Sequence, residues 1–288
     1  MYFCDIQNFG DQLNRDIAKY YKLDVDFSSM QHEASVQGPG IFALGSILDR
    51  ASDFFRGWIV GSGFMDADSR KAFYHADVHA VRGRFTAERI LTHSRLPLFD
   101  PGVLISKIFP ASEKRFKLGI VPHYADRNNQ QIQSLLKRHH ESILMINVQN
   151  SPSVVAHQIS SCEHIVSSSL HGLVTAHSYG IPCAWLKLSD KVSGDGFKFH
   201  DYMSAYNHSI ESFSGTISLE SLLQACLPPP KTANDKIELA DSVFSRLADL
   251  NKQQDFNISQ GSCGRYWFRR IKRKAALHIR SINYSYSL

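Results

Sequence analysis

Three short segments combine residue types that bind anions and move protons, and each lies where an apolar run meets a turn. Asn8-Phe9-Gly10-Asp11 is a glycine-containing turn leading into a helix, so its free N–H groups can meet an anion or a sugar. Val81-Arg82-Gly83-Arg84-Phe85-Thr86 places two arginines around a glycine at the end of an apolar run. A guanidinium fork suits carboxylate and phosphate geometry. Ser167-Ser168-Ser169-Leu170-His171-Gly172 feeds a serine run into a helix that opens on a histidine. A helix start lowers the proton affinity of an imidazole, which keeps His171 able to exchange protons near neutrality. Each segment also has a plainer reading, as a helix cap or a surface arginine pair. His123, after Leu118–Pro122, and Lys198 and Asp201, after the glycine-rich run 193–196, are weaker candidates of the same kind. His139 and His140, beside Lys137 and Arg138, read as a solvated helix end.

The elements that must position these groups alternate between short apolar bursts and amphipathic stretches, the pattern of βα units around parallel sheets. Strands are predicted at 58–60, 78–81, 117–122, 143–147, 164–168 and 184–188. Helices are predicted at 11–21, 86–91 (capped by Thr86, with Arg89 facing outward), 129–140, 153–162, 170–179 and 236–252. Gly180 and Pro182 stop the helix that carries His171. The charged, proline-containing stretch 107–116 reads as a linker. The expected division is therefore an N-terminal βα domain at 1–110, a second at 111–230, and a C-terminal helix and tail at 231–288. Two such domains with a cleft between them make an α/β, glycosyltransferase-B-like arrangement, with ligands at the carboxyl ends of the strands.

The composition narrows the classes. The chain has 288 residues, 43% hydrophobic and 20% charged, and reads as globular. No apolar run reaches the roughly 18 residues of a membrane span, and Met1–Asp16 lacks a secretory pattern, so a cytoplasmic protein is expected. The five cysteines include no CxxC pair and are expected to be reduced. No histidine pair at HxxxH or HExxH spacing lies on an apolar helix, so no metal site is expected. The formal net charge of +5 is uneven. Residues 261–288 carry seven Lys or Arg and no acid, and the rest holds 25 basic against 27 acidic groups. A basic block, interleaved with Tyr266, Trp267 and Phe268, on a near-neutral body points to an anionic membrane surface rather than a nucleic-acid groove.

In order along the chain, NFGDQLN at 8–14, GPG at 38–40, VGSG at 60–63, VRGRFT at 81–86, DPGVL at 100–104, LGIVPH at 118–123, SSSLHGLVTAHSYGIP at 167–182 and KFHDY at 198–202 resemble the polysaccharide pyruvyl transferase family, most of all its exopolysaccharide and capsule branch. The resemblance implies a glycosyltransferase-B-like fold, phosphoenolpyruvate as donor substrate without a further cofactor, and a pyruvate ketal on a sugar that is usually lipid-linked. It maps the family's histidine onto His171 and its arginine onto Arg82. Many members carry an arginine two places before that histidine, where this chain has Ser169. Arg82, Arg84, Lys187 and Lys198 are then the cations available to the donor, with Ser168 and Ser169 beside it. Asn8, Gly10, Asp11 and Asp201 fall on the acceptor side. His171 is the expected acid–base group, with His123 in reserve. No metal is chemically required, since the leaving group is already a phosphate. The competing readings are a nucleotide-sugar glycosyltransferase and a non-catalytic binding protein of the same fold.

Overall fold

Apolar runs bounded by glycine, proline or charge become parallel strands, because a strand covered on both faces needs no polar alternation. The computed structural model describes residues 1–3, 7–29, 39–92, 95–189 and 194–253. Its first sheet joins β1 (Tyr2–Phe3), β2 (Ser28–Ser29), β3 (Pro39–Phe42), β4 (Arg56–Val60) and β5 (Ala76–Ala80) in the order β2-β1-β3-β4-β5, every pairing parallel. The second joins β6 (Phe116–Val121), β7 (Ile143–Met145), β8 (Cys162–Ser167), β9 (Cys183–Leu186) and β10 (Ser212–Phe213) in the order β10-β9-β8-β6-β7, again all parallel. Parallel neighbours require crossovers, and helices supply most of them.

These helices are α1 (Phe9–Tyr20), α2 (Arg84–Glu88), α3 (Ile105–Ile108), α4 (Gln130–Arg138), α5 (Pro152–Ser160), α6 (Leu170–Ser178), α7 (Phe197–Ser204), α8 (Leu219–Ala225) and α9 (Ala233–Gln253). Sequence signals set several ends. Asn8 caps α1 by accepting from Gly10 N–H, Pro152 occupies the first turn of α5, and Gly180 follows α6 at φ +70°. Two expectations are corrected. Thr86 does not cap α2, which starts at Arg84 behind Gly83, because its hydroxyl and N–H go instead to a buried carboxylate. Arg89 does not point freely outward: it donates to the Ala67 and Phe85 carbonyls and stacks over Phe197.

The first sheet packs on Phe42, Phe55, Ile59, Phe64, Phe73 and Val81, the second on Leu118, Ile120, Leu135, Val166, Leu186 and Leu222. The two cores are stitched together. Phe197 of α7, from the second half of the chain, is buried in the first core. Phe9 N–H at the start of α1 donates to the Val148 carbonyl beyond β7 at 2.7 Å. Both sheets lie in one compact unit, Met1–Ala248. Among the described residues no helix is long and apolar enough to cross a membrane. The basic tail expected to meet an anionic surface, from 262 onward, lies outside the described residues.

Candidate active site

The carboxyl ends of both sheets deliver side chains to one cluster. From the first come Asp11 at the start of α1 and Arg82 just past β5. From the second come His123 after β6, Ser168 to His171 between β8 and α6, and Lys198 on α7. Their proximity shows in how they shift one another's proton affinity. Burial lowers the Lys198 ammonium to about 8, Arg82 pushes the same way, and Asp11 opposes. Burial raises Asp11 to about 7 against the pull of Lys198 and Arg50. His171 falls to about 3, through burial first and then Lys198 and Arg82, and His123 to about 4, through burial and Lys198. Both imidazoles are therefore neutral at pH 7 in the ligand-free protein.

His171 is seated against α1. A Cβ at Gly10 would overlap its ring, and Phe9 meets it edge-on at 6.2 Å. Its Nε2 is out of solvent contact and has no hydrogen-bond partner among the described residues. A buried ring nitrogen costs free energy when left unpaired, so its persistence marks a position kept for another group. The loop before it is fixed from within. Ser167 Oγ donates to the carbonyls of Val121 and Ser169. Ser168 Oγ donates to Asp126 at 3.0 Å and accepts from His123 N–H at 2.8 Å, which ties the two histidine loops together. Ser169 is buried and makes no side-chain cap to α6.

Arg82 is 1% exposed and forms an ion pair with Asp201, 0% exposed, at 2.8 Å. Its other nitrogens donate to Ser46 Oγ and to the Phe64 carbonyl. Asp201 also accepts from Thr86 N–H and Oγ, both at 2.7 Å, so its two oxygens are engaged inside the protein. A Cβ at Gly83 would overlap the Asp201 carbonyl, so only glycine lets this turn close on α7.

The remaining candidates are placed otherwise. Arg84 is exposed and turned to Asn207, with its N–H on Ser204 Oγ. Lys187 stands 3.9 Å from Asp195 on the rim of a cavity next to the cluster. Ser168, Trp185, Ser189, Gly196 and Phe199 also line this cavity. Asn8 caps α1. Sequence reasoning missed Asp126, which holds Ser168, and took Asp100 only as a turn residue and Thr86 only as a cap. Asp100 is 1% exposed, caps the turn Pro101–Leu104 through Gly102 N–H, and is raised to about 6 by burial against the pull of Arg82. The turn signal Asp100-Pro101-Gly102 is visible in the sequence, but its nearness to Arg82 is not.

Two cations, two neutral imidazoles and a carboxyl of raised proton affinity, gathered at the strand ends of paired parallel sheets, define an α/β protein equipped to bind an anion and move protons beside it. The chain belongs to the polysaccharide pyruvyl transferase family, which residues 8–190 match, and is accordingly a transferase. It is 31% identical over 278 residues to an uncharacterized protein of Acanthamoeba polyphaga mimivirus, covering 87% of this chain and 92% of that one. It is 26% identical over 204 residues to the succinoglycan biosynthesis protein ExoV of Rhizobium meliloti (strain 1021), covering 68% of this chain and 60% of that one. No solved structure matches. Among the described residues no group of three His, Cys, Asp or Glu is placed to hold a metal ion.

Proposed function

We propose that the protein moves the enolpyruvyl unit of phosphoenolpyruvate onto a sugar of an exopolysaccharide or capsule repeat unit, closing a cyclic pyruvate ketal. The observation that carries this reading is the buried His171 ring, seated on Gly10 with Nε2 unpartnered among the described residues, in a chain of the pyruvyl transferase family. The donor brings a phosphate and a carboxylate, and Lys198, nearly buried, supplies the charge that the family arginine would bring at Ser169, with Arg82, itself paired with Asp201, adding to the positive field. Ser169 and the first amides of α6 complete an anion cradle, while Ser168, its hydroxyl proton committed to Asp126, holds the loop in place. Asp201, on this reading, is a positioning residue that holds Arg82 rather than an acceptor contact. His171 Nε2 takes the proton of the attacking hydroxyl, and His123 stays in reserve on the neighbouring loop, tied to Ser168. The two sheets then act as two Rossmann-like halves of a glycosyltransferase-B-like arrangement that meet near 105–117. The similarity to ExoV, a succinoglycan biosynthesis protein, supports a glycan acceptor.

The test is phosphate release from phosphoenolpyruvate with lipid-linked and soluble glycan acceptors. Release that depends on the acceptor, and falls ~10²-fold or more in a folded His171→Ala variant, is expected. Release without an acceptor, or full activity of that variant, overturns the assignment. Lys198→Met is expected to raise KM for the donor more than for the acceptor, since a lost charge-assisted contact costs roughly 1.5–3 kcal/mol; Arg82→Ala would also strip the buried Asp201 of its counter-charge, so its KM is read only if the variant melts as wild type does.

A further inference from the structure

Asp11, expected on the acceptor side, is a buried carboxyl next to the glycine that seats His171. It occupies the first turn of α1, directly after the glycine on which the His171 ring rests, and is 9% exposed. Asn14 pins this turn: its side chain accepts from Leu44 N–H at 3.0 Å and donates to the carbonyls of Asp11 and Leu44. Asp11 Oδ1 lies over Gly45, in the segment following β3. The carboxyl thus reaches the cluster from the first sheet, close enough to Lys198 of α7 and to Arg50 for their charges to act on it, with the His171 ring against the neighbouring Gly10.

We propose that Asp11 is a catalytic acid that protonates the methylene carbon of the donor, while His171 serves as the base for the acceptor. The assignment rests on the pyruvyl-transfer reading. The enol of phosphoenolpyruvate must gain a proton at C3 before C2 can accept a hydroxyl, and a neutral imidazole has no proton of suitable acidity to give. Asp11 donates its proton to C3, the π pair forming the new C–H bond. The first sugar oxygen bonds to C2 and its proton passes to His171 Nε2. The C2–O bond to phosphate then breaks, phosphate leaving with the electron pair and taking the proton from His171. The second hydroxyl closes on C2 and returns a proton to Asp11. Both residues end the cycle as they began it. Burial raises the carboxyl to about 7, which keeps a large share of it protonated at neutral pH despite Lys198 and Arg50.

The experiment compares wild type, Asp11→Asn and Asp11→Glu as full chains, with phosphoenolpyruvate and a glycan acceptor. Donor binding and turnover are measured separately from pH 5.5 to 9. We expect Asp11→Asn to keep its fold and to bind donor within about threefold of wild type, while kcat falls ~10²–10⁴-fold. Wild-type kcat should decline as pH rises through the titration of Asp11. Asp11→Glu should retain part of the rate with that decline displaced. Asparagine kcat within about threefold of wild type, or a loss confined to donor affinity, overturns the assignment and leaves Asp11 as a counter-charge to Lys198. If asparagine does not fold, the glutamate profile decides: an undisplaced decline overturns the assignment. Wild type that releases no phosphate removes the pyruvyl-transfer reading and this assignment together, whereas active wild type with active Asp11→Asn removes this assignment alone.

Discussion

At the scale of single residues, the site depends on one missing side chain and one occupied carboxylate. Gly10 has no Cβ, and the His171 ring fills that space. Gly10→Ala should displace the ring, costing about 1–3 kcal/mol through overpacking and ~10²-fold in turnover through misplacement. Thermal melting and phosphate release read the two effects; unchanged turnover would show that His171 tolerates the shift. Asp201 is the counter-charge of a fully buried guanidinium. Asp201→Asn leaves Arg82 uncompensated and should cost about 3–5 kcal/mol in urea unfolding, against about 1–2 kcal/mol for Thr86→Val, which loses the hydroxyl that donates to Asp201 and accepts from Phe64 N–H. Equal losses would contradict the primacy of the ion pair. The sequence reveals residue types but not which partner consumes them. Arg82 and Arg84 stand two apart and look alike on paper, yet one is sealed against Asp201 and the other is exposed beside Asn207. That distinction depends on a contact 119 residues away, which local pattern does not encode.

At the scale of elements, legibility follows burial geometry. Strands β6 and β8 stand out as apolar runs, because a parallel strand is covered on both faces. Strands β1, β2 and β10, two residues each, are too short to show any period. Helix α7 escaped detection for a different reason. Seven of its eight residues are buried, so it carries no polar stripe and no 3.6-residue alternation. It is nonetheless tied to α6, the helix of His171, by His177 Nδ1 and Tyr202 Oη at 3.0 Å, with Tyr206 behind at the same distance. Burial lowers His177 to about 4. The unfolded chain therefore takes up a proton between about pH 6.5 and 4 that the folded chain refuses, and stability is lost as pH falls through that window. His177→Phe removes one hydrogen bond, about 1 kcal/mol at pH 7, but also removes this acid sensitivity, which amounts to about 1.4 kcal/mol per pH unit. Urea unfolding should show the variant weaker at pH 7 and level with wild type, or stronger, by pH 4.5. A gap that stays constant would mean that His177 is protonated in the fold.

At the scale of the whole molecule, charge is concentrated at one end of the chain. Seven of the 32 basic residues fall in the last 28 positions, where there is no acid. We propose that this segment holds the enzyme at an anionic bilayer, where a lipid-linked acceptor would be found. Each Lys or Arg near such a surface contributes about 1 kcal/mol, and the attraction weakens as salt shortens the Debye length. Deleting residues 262–288 should abolish co-sedimentation with anionic vesicles and leave turnover of a soluble acceptor intact. Persisting vesicle binding, or a truncated protein that no longer folds, would refute the anchor.

The stacking of Trp185 on Phe199, ring centroids 4.4 Å apart and 13° from parallel, has an optical consequence. Trp185 lines the cavity beside Lys198 and His171, whereas Trp58, edge-on to His79, belongs to β4 and does not line it. An anion settling there changes the local field on one indole and not on the other. Trp58→Phe combined with Trp267→Phe would leave Trp185 the single indole, so its emission would report donor occupancy in real time, without a label and without turnover.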